Sequence, residues 1–124
     1  MERIKIIIDN EEIACKVIAR HNDGSLRLEI ACSCNGLYNG TEQKTITPEY
    51  AIIHHSQMTD CNLYFIAKDE KTLIDNEKTI NEFMASDFDN AEKIFNKLGI
   101  TYAHEEYDEI PNNLIIVKKY SYRF

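Results

Sequence analysis

Several residue types are scarce in this chain of 124 residues. It has no tryptophan, two prolines, four glycines and four arginines. No run of eighteen or more apolar residues occurs, so no helix that spans a bilayer is expected. The first residues lead into a strand pattern without a small-residue cleavage site, and we therefore expect a cytoplasmic protein. Its composition, considered below, indicates a bacterium or its phage as the source.

The four cysteines do not form a zinc-type pattern. Structural zinc sites use cysteines in pairs separated by two to four residues, whereas Cys32 and Cys34 are separated by one and no second pair follows. We expect reduced thiols rather than disulfides, because the cytoplasm keeps thiols reduced. If the chain binds a metal, the candidate ligands are Cys32, Cys34, His54, His55 and Cys61.

Catalytic motifs are also missing. A Cys–His nucleophile pair requires Cys34 or Cys61 beside His54 or His55, and nothing in the local sequence selects one pairing. The glycine-containing segment 35–40 lacks both the Gly-Lys-Ser/Thr ending and the three-glycine spacing of phosphate-binding loops. The sequence therefore predicts no catalytic residue and no cofactor, and we expect a protein that is not an enzyme.

What the chain does have is a surplus of acid. Its formal net charge is −7, and residues 69–112 contain twelve Asp and Glu against four Lys, a local net charge of −8. Binding to phosphate backbones depends on Lys and Arg that displace counterions, so nucleic acid is not an expected ligand. A basic protein partner is expected instead.

Alternating hydrophobicity predicts an antiparallel meander in the first part of the chain. Residues 4–8 and 13–19 alternate around an Asp-Asn turn. Residues 21–24 can adopt the positive φ of a second turn, and residues 26–32 alternate again. Residues 33–43 show little periodicity and are predicted to be the longest loop.

The middle of the chain is predicted to be a helix followed by a hairpin. The Thr-Pro-Glu sequence at 47–49 matches a helix N-terminus, so a short helix that ends at residue 57 is favoured. A buried strand over residues 50–55 is the alternative. Residues 61–67 and 71–75 flank a charged turn and are predicted to be paired strands.

Two helices are predicted next. Asn76 can cap a short one, and Ser86 with Asp89 matches the start of a second. Gly99 can end the second helix in a left-handed cap. The apolar stripe of this second helix consists of Phe88, Ala91, Ile94, Phe95 and Leu98.

These elements predict one α+β domain over residues 1–124. Its antiparallel sheet has six or seven strands, with two or three short helices on one face. The last two strands are predicted over residues 100–107 and 114–124. No internal repeat, low-complexity tract or linker divides the chain.

The acidic region predicts a docking surface. The acids of segment 105–109 have no helical explanation, and on a strand Glu106 and Asp108 would lie about 6.6 Å apart, close to two phosphate steps of a DNA strand. We expect a small binding or inhibitor protein that occupies a basic site on another macromolecule. The predicted partner-binding residues are Glu105, Glu106, Asp108, Glu109, Asp87, Asp89 and Glu92.

Two settings fit this expectation. One is a phage anti-defence protein that antagonises a nuclease-like effector of the host, and the other is an immunity protein that neutralises a basic toxin. Lys, Ile and Asn, thirty-nine residues together, have A/T-rich codons. This composition slightly favours the phage of a low-GC bacterium.

An alternative hypothesis is a non-catalytic protein that sequesters a nucleotide-like small molecule, with a homodimer interface as one location for the site. Arginines bind phosphate and tyrosines stack on planar ligands, although core packing is the favoured role of the C-terminal tyrosines. A metal- or cysteine-dependent enzyme is the third hypothesis. The residues expected to bind a nucleotide-like ligand are Arg20, Arg27, Arg123, Tyr120 and Tyr122.

Overall fold

The computed structural model describes residues 2–34, 38–83 and 88–123, with the side chains of all but residues 31–34, 38–41, 88 and 89. The strands are β1 Arg3–Ile8, β2 Glu11–Arg20, β3 Leu26–Cys34, β4 Tyr38–Ile46, β5 Glu49–Ser56, β6 Cys61–Ala67, β7 Thr101–His104 and β8 Leu114–Tyr122. The helices are α1 Glu70–Asp75, α2 Glu77–Glu82 and α3 Phe88–Lys97.

The predicted α+β class is confirmed. The eight strands form a mostly antiparallel sheet in the order β4-β3-β2-β1-β8-β5-β6-β7, one strand more than the upper predicted number. Contacts divide the chain into unit 1, Met1–Pro48 with Pro111–Ile115, and unit 2, Glu49–Ile110 with Ile116–Phe124. No helix of the described residues is long and apolar enough to cross a membrane.

Unit 1 contains the predicted meander. β1 and β2 pair around a two-residue turn in which Asp9 and Asn10 have φ values of 52° and 65°. The predicted loop over residues 33–43 is wrong for its described part, because β3 and β4 pair as far as Cys34 and Tyr38. The residues between these two lie outside the described part of the chain. The backbone pairing with β3 outweighs the weak hydrophobic periodicity of β4.

Two further predictions are wrong for segments of unit 2. Residues 49–57, predicted as a helix, are mostly β5, a strand in which Ala51–His54 are all buried. Such continuous burial fits a strand covered on both faces, which was the stated alternative. Residues 71–75, predicted as a strand, belong to α1, because the Asp69 carboxylate accepts hydrogen bonds from the backbone N–H and hydroxyl of Thr72.

Helices α2 and α3 lie where the sequence predicts them. Asn76 precedes α2 without a side-chain capping bond, and its amide instead donates to the carbonyl of Thr72. Gly99, with a φ of 78°, ends α3 in the predicted left-handed cap. The predicted capping pair of α3 cannot be compared, since Ser86 and the side chain of Asp89 lie outside the described part.

The core of unit 2 lies between the helices and one face of its strands. Leu73 of α1, Ile80 of α2 and Phe95 of α3 pack in one buried cluster with Ile52 and Phe65 of the sheet. All three helices therefore cover the same face, as predicted. Within the α3 stripe Ala91 and Phe95 are buried and Leu98 is half-buried, but Ile94 is 43% exposed.

Candidate functional site

The segment predicted to extend β7 to residue 107 is a turn. β7 ends at His104, whose backbone N–H donates to Asp108 Oδ2 across 2.8 Å. The backbone N–H groups of Tyr107 and Asp108 both donate to the His104 carbonyl. The acids after His104 therefore do not form the straight row that would imitate a phosphate backbone, because a strand that continued past His104 would be required for it.

The turn is also attached to β6. Asn62 N donates to Glu105 Oε2 across 2.9 Å, and Glu105 N donates to Asn62 O across 3.0 Å. Two of the predicted partner-binding carboxylates, those of Glu105 and Asp108, thus have structural roles. The carboxylates of Glu106 and Glu109 are exposed and make neither of these bonds.

The β5–β6 turn adds another acid at the same end of unit 2. Asp60 is 93% exposed, directly precedes β6, and lies 3.5 Å from Nε2 of His55. Arg20, Lys71 and Lys118 pair with Glu2, Asp75 and Glu77, none of which belongs to this group of acids. We call the group the acidic end: Asp60, Glu105, Glu106, Asp108 and Glu109.

Two large apolar side chains are exposed in the turns that form the acidic end. Met58 in the β5–β6 turn is 80% exposed, and Tyr107 is 76% exposed. The Tyr107 ring lies against the His104 ring, with centroids 4.8 Å apart. Methionine and tyrosine are enriched in protein interfaces relative to other surfaces.

Of the three predicted partner-binding acids in and before α3, the structure describes the side chain of Glu92 alone. Helix α3 packs against β7, and Gly99 lies between the two elements. Glu92 is exposed on the second turn of the helix. Asp87 and the side chain of Asp89 lie outside the described part of the chain.

A second group of polar side chains adjoins the acidic end. Cys61 Sγ lies 3.7 Å from Nδ1 and 3.9 Å from Nε2 of His104. One donor atom each from Cys61, His104 and Glu106 lies within 4.8 Å of the others. In the β6–β7 register Leu63 is opposite His104, so Cys61 is the diagonal neighbour on the same face.

The environment of Cys61 does not activate the thiol as a nucleophile. Burial raises its pKa, and the negative charges of Glu105 and Glu106 raise it further, whereas hydrogen bonds from the backbone lower it. A reactive cysteine needs a lowered thiol pKa, which a neighbouring cation or base can provide. The structure thus forms a Cys–His pair with His104 in place of the predicted His54 or His55, but the raised pKa of the thiol disfavours a nucleophilic role.

The other predicted metal ligands are placed differently. His54 and His55 are neighbours on β5, so their side chains point to opposite faces of the sheet. His55 Nδ1 contacts the Asn62 side chain across 2.8 Å. The side chains of Cys32 and Cys34 lie outside the described part. Sequence reasoning missed His104, because only the β6–β7 register brings it to Cys61.

His54 lies in an aromatic pocket. It is 6% exposed, and its ring centroid lies 4.9 Å from that of Phe65, 5.8 Å from that of Tyr120 and 5.1 Å from that of Tyr122. Its Nε2 forms a hydrogen bond of 3.1 Å with the Asn81 side chain. Burial lowers the pKa of His54, since the charged form loses its hydration.

The residues predicted for a nucleotide-like ligand already have partners. Arg20 pairs with Glu2. Arg27 donates to the side chains of Gln43 and Thr45. The Tyr120 hydroxyl donates to the Glu77 carboxylate.

The remaining candidates for that ligand are at the end of the chain. Tyr122 packs on His54, and Arg123 is exposed. Tyr120 and Tyr122 are half-buried, which agrees with the core-packing interpretation of the last strand.

No protein-family model matches the chain, and neither a curated protein nor a solved structure shows significant similarity to it.

Proposed function

We propose that the protein binds a basic site on another macromolecule and that the acidic end is its docking face. The observation that carries this proposal is that five exposed acidic residues lie in two turns, at one end of unit 2, that also expose Tyr107 and Met58. Charged groups of one sign on a surface steer a partner of the opposite sign and increase its association rate.

The distribution of charge supports this proposal. Unit 2 contains fourteen Asp and Glu against eight Lys and Arg, a formal net charge of −6, whereas unit 1 contains seven against six. The surplus negative charge of the chain therefore belongs almost entirely to the unit that carries the acidic end.

The hydrogen bonds of the acidic turn give the docking face a defined shape. Glu105 is held to β6 and Asp108 to the end of β7, so the exposed Glu106 and Glu109 are mounted on an anchored turn. A preorganised surface loses less conformational entropy when it binds. The anchored turn therefore favours binding to one specific partner rather than nonspecific attraction of any positively charged molecule.

The exposed tyrosine and methionine supply the apolar part of the interface. In protein interfaces a few buried aromatic side chains contribute most of the affinity, while rim charges mainly affect the association rate. Tyr107 would fill a pocket of the partner and Met58 would adapt to its edge. The partner is then a protein with a basic site, of the kind found in a nuclease-like effector or a toxin.

The first experiment measures affinity for a purified partner. The tagged chain captures host proteins at low salt, and the captured basic protein is purified for calorimetric titration against wild-type and variant chains. We expect Asp60→Asn with Glu109→Gln to weaken binding about tenfold, because two charges that face the partner are removed. Asn tolerates the positive φ of 51° at position 60.

A matched variant controls for net charge. Glu49→Gln with Glu82→Gln removes the same two charges from exposed positions outside the acidic end and should leave the affinity unchanged. Wild-type affinity should also fall steeply as salt is added. Equal affinities for both double variants, or an affinity that does not respond to salt, would reject the acidic end as the docking face.

A further inference from the structure

Three different donor types meet beside the acidic end. Cys61 is the first residue of β6, His104 is the last of β7, and Glu106 follows in the anchored turn. Their sulfur, nitrogen and oxygen donors lie within 4.8 Å of one another. Thiolate, imidazole and carboxylate are the three side-chain groups that bind zinc in proteins.

We propose that Cys61, His104 and Glu106 form a binding site for Zn²⁺. Two ligands of one tetrahedral zinc ion, with Zn–S and Zn–N bonds of about 2.3 and 2.0–2.1 Å, lie about 3.6 Å apart. The distances from Cys61 Sγ to the two ring nitrogens of His104 are 3.7 and 3.9 Å. The two donors are thus already at the separation that a shared ion requires.

The surrounding charge also suits a cation. The Glu106 carboxylate lies within 4.8 Å of the donor atoms of Cys61 and His104, and Glu105 is bonded to Asn62 next to Cys61, so negative charge that attracts a divalent cation surrounds the site. A structural hydrogen bond between Cys61 and His104 needs no neighbouring carboxylates. Glu105 anchors the turn, but the Glu106 carboxylate has no such role and is the acid that completes the set of three donors.

Zinc binding requires local changes in the His104 ring and in the turn, because Cys61 Sγ is almost equidistant from the two ring nitrogens and not in line with the lone pair of either. Glu106 N now donates to His104 Nδ1 across 3.1 Å, and a neutral ring that binds an ion through one nitrogen keeps its proton on the other. The Glu106 amide must therefore turn away from the ring. One hydrogen bond is much weaker than a set of three zinc–ligand bonds, and the bonds of Glu105 and Asp108 can hold the turn in place.

The donor set predicts which ions bind. A thiolate and an imidazole favour zinc and similar transition ions, whereas Mg²⁺ and Ca²⁺ prefer oxygen ligands only. Three protein ligands leave a fourth position for water or for a group from another molecule. This inference does not depend on the proposed docking function, because the docking test changes Asp60 and Glu109 and leaves all three ligands intact.

The test uses Co²⁺ as a spectroscopic substitute for zinc. Titration of the full chain with Co²⁺ should produce one thiolate-to-cobalt absorption band with a stoichiometry of one ion per chain, and Zn²⁺ but not excess Mg²⁺ should remove it. Cys61→Ser should abolish the band. His104→Ala and Glu106→Gln should each weaken Zn²⁺ binding about 100-fold or more, since even residues that only orient metal ligands cost about 10–100-fold.

Two control variants make the result specific. Cys32→Ser with Cys34→Ser removes the other predicted thiol ligands and should keep the band, and Glu109→Gln should keep full affinity. Circular dichroism checks that each variant is folded. If His104→Ala does not fold, Glu106→Gln still tests the site, because Glu106 is exposed and its substitution should not disturb the fold. No band in the wild-type chain, or a band that survives Cys61→Ser and disappears in the Cys32/Cys34 variant, would overturn the proposal.

Discussion

Asn62 and Glu105 are joined by two reciprocal hydrogen bonds, one from Asn62 N to Glu105 Oε2 and one from Glu105 N to Asn62 O. The side chain of an acid thereby fixes the turn that displays its neighbours. A row of acids that looks uniform in the sequence contains two kinds of residue. Glu105 and Asp108 shape the turn, while Glu106 and Glu109 remain exposed to a partner.

This division predicts unequal effects on stability. Glu105→Ala and Asp108→Ala should each lower the free energy of unfolding by about 1 kcal/mol, because a backbone N–H loses its acceptor. Glu109→Ala should change it by less than about 0.5 kcal/mol, as is usual for exposed sites without special contacts. Urea unfolding of the three variants measures the difference. Three equal losses would show that the turn does not depend on the two anchoring carboxylates.

The aromatic cluster under α3 predicts a much larger effect. Phe95 is 1% exposed, and its ring centroid lies 5.0 Å from that of Phe65 and 5.6 Å from that of Phe83. Phe95→Ala should cost about 3–5 kcal/mol, from lost burial and the cavity left behind. Ile94→Ala, at the neighbouring half-exposed position, should cost about 1 kcal/mol or less. Urea midpoints decide the comparison, and similar losses would contradict the described packing of α3.

The fold could be predicted where local signals and tertiary contacts agree. The hairpin of β1 and β2 follows from alternation around Asp9 and Asn10, and the end of α3 follows from Gly99. The misassigned segments are those where tertiary context decides. β5 has a helix-like start, but its residues are buried on both faces of a sheet, which no local pattern encodes.

The sequence predicts that the candidate site is acidic, but it does not predict how the acidic residues are arranged. The acids of residues 105–109 are visible in the sequence, whereas the end of β7 depends on a bond from His104 to a residue four positions later. The proximity of Cys61 and His104 depends on strand register between residues far apart in the chain. In contrast, the start of α1 could have been predicted from the sequence. Asp69 is a typical N-cap residue, and its carboxylate accepts a hydrogen bond from the backbone N–H of Thr72, three residues later.

The β1–β2 turn predicts a stabilising substitution. Asn10 has a φ of 65°, a conformation that glycine adopts without the steric cost of a Cβ atom. Asn10→Gly should therefore raise the free energy of unfolding by a few tenths of a kcal/mol, and Asn10→Ala should lower it by about 1 kcal/mol. Asn22→Gly is the matched control, because φ is not positive there, and it should give no gain. Thermal unfolding measures all three.

The buried His54 predicts loss of stability in mild acid. Its folded pKa is lowered from the ordinary value of 6.5, so below that pH the unfolded chain binds a proton that the folded chain refuses. Stability should therefore fall as pH decreases from 6.5 towards the folded pKa, by at most about 1.4 kcal/mol per pH unit. The groups that face the ring, Asn81, Phe65, Tyr120 and Tyr122, carry no charge in this range that would offset the loss.

Urea unfolding at pH 8.0 and pH 5.5 tests this effect. Hydrogen bonds from Lys118 and Tyr120 lower the pKa of Glu77 from 4.5. Carboxylates of this kind lose their stabilising effect only below the pH range of the experiment, so the change in stability between pH 8.0 and pH 5.5 reports on histidine. His54→Phe should reduce the difference in stability between the two pH values, because a ring of similar shape replaces the group that titrates. His21→Asn, at an exposed histidine, should leave the difference as it is in the wild-type chain. If His54→Phe keeps the full difference, the acid sensitivity arises elsewhere and the burial of a neutral His54 is not its cause.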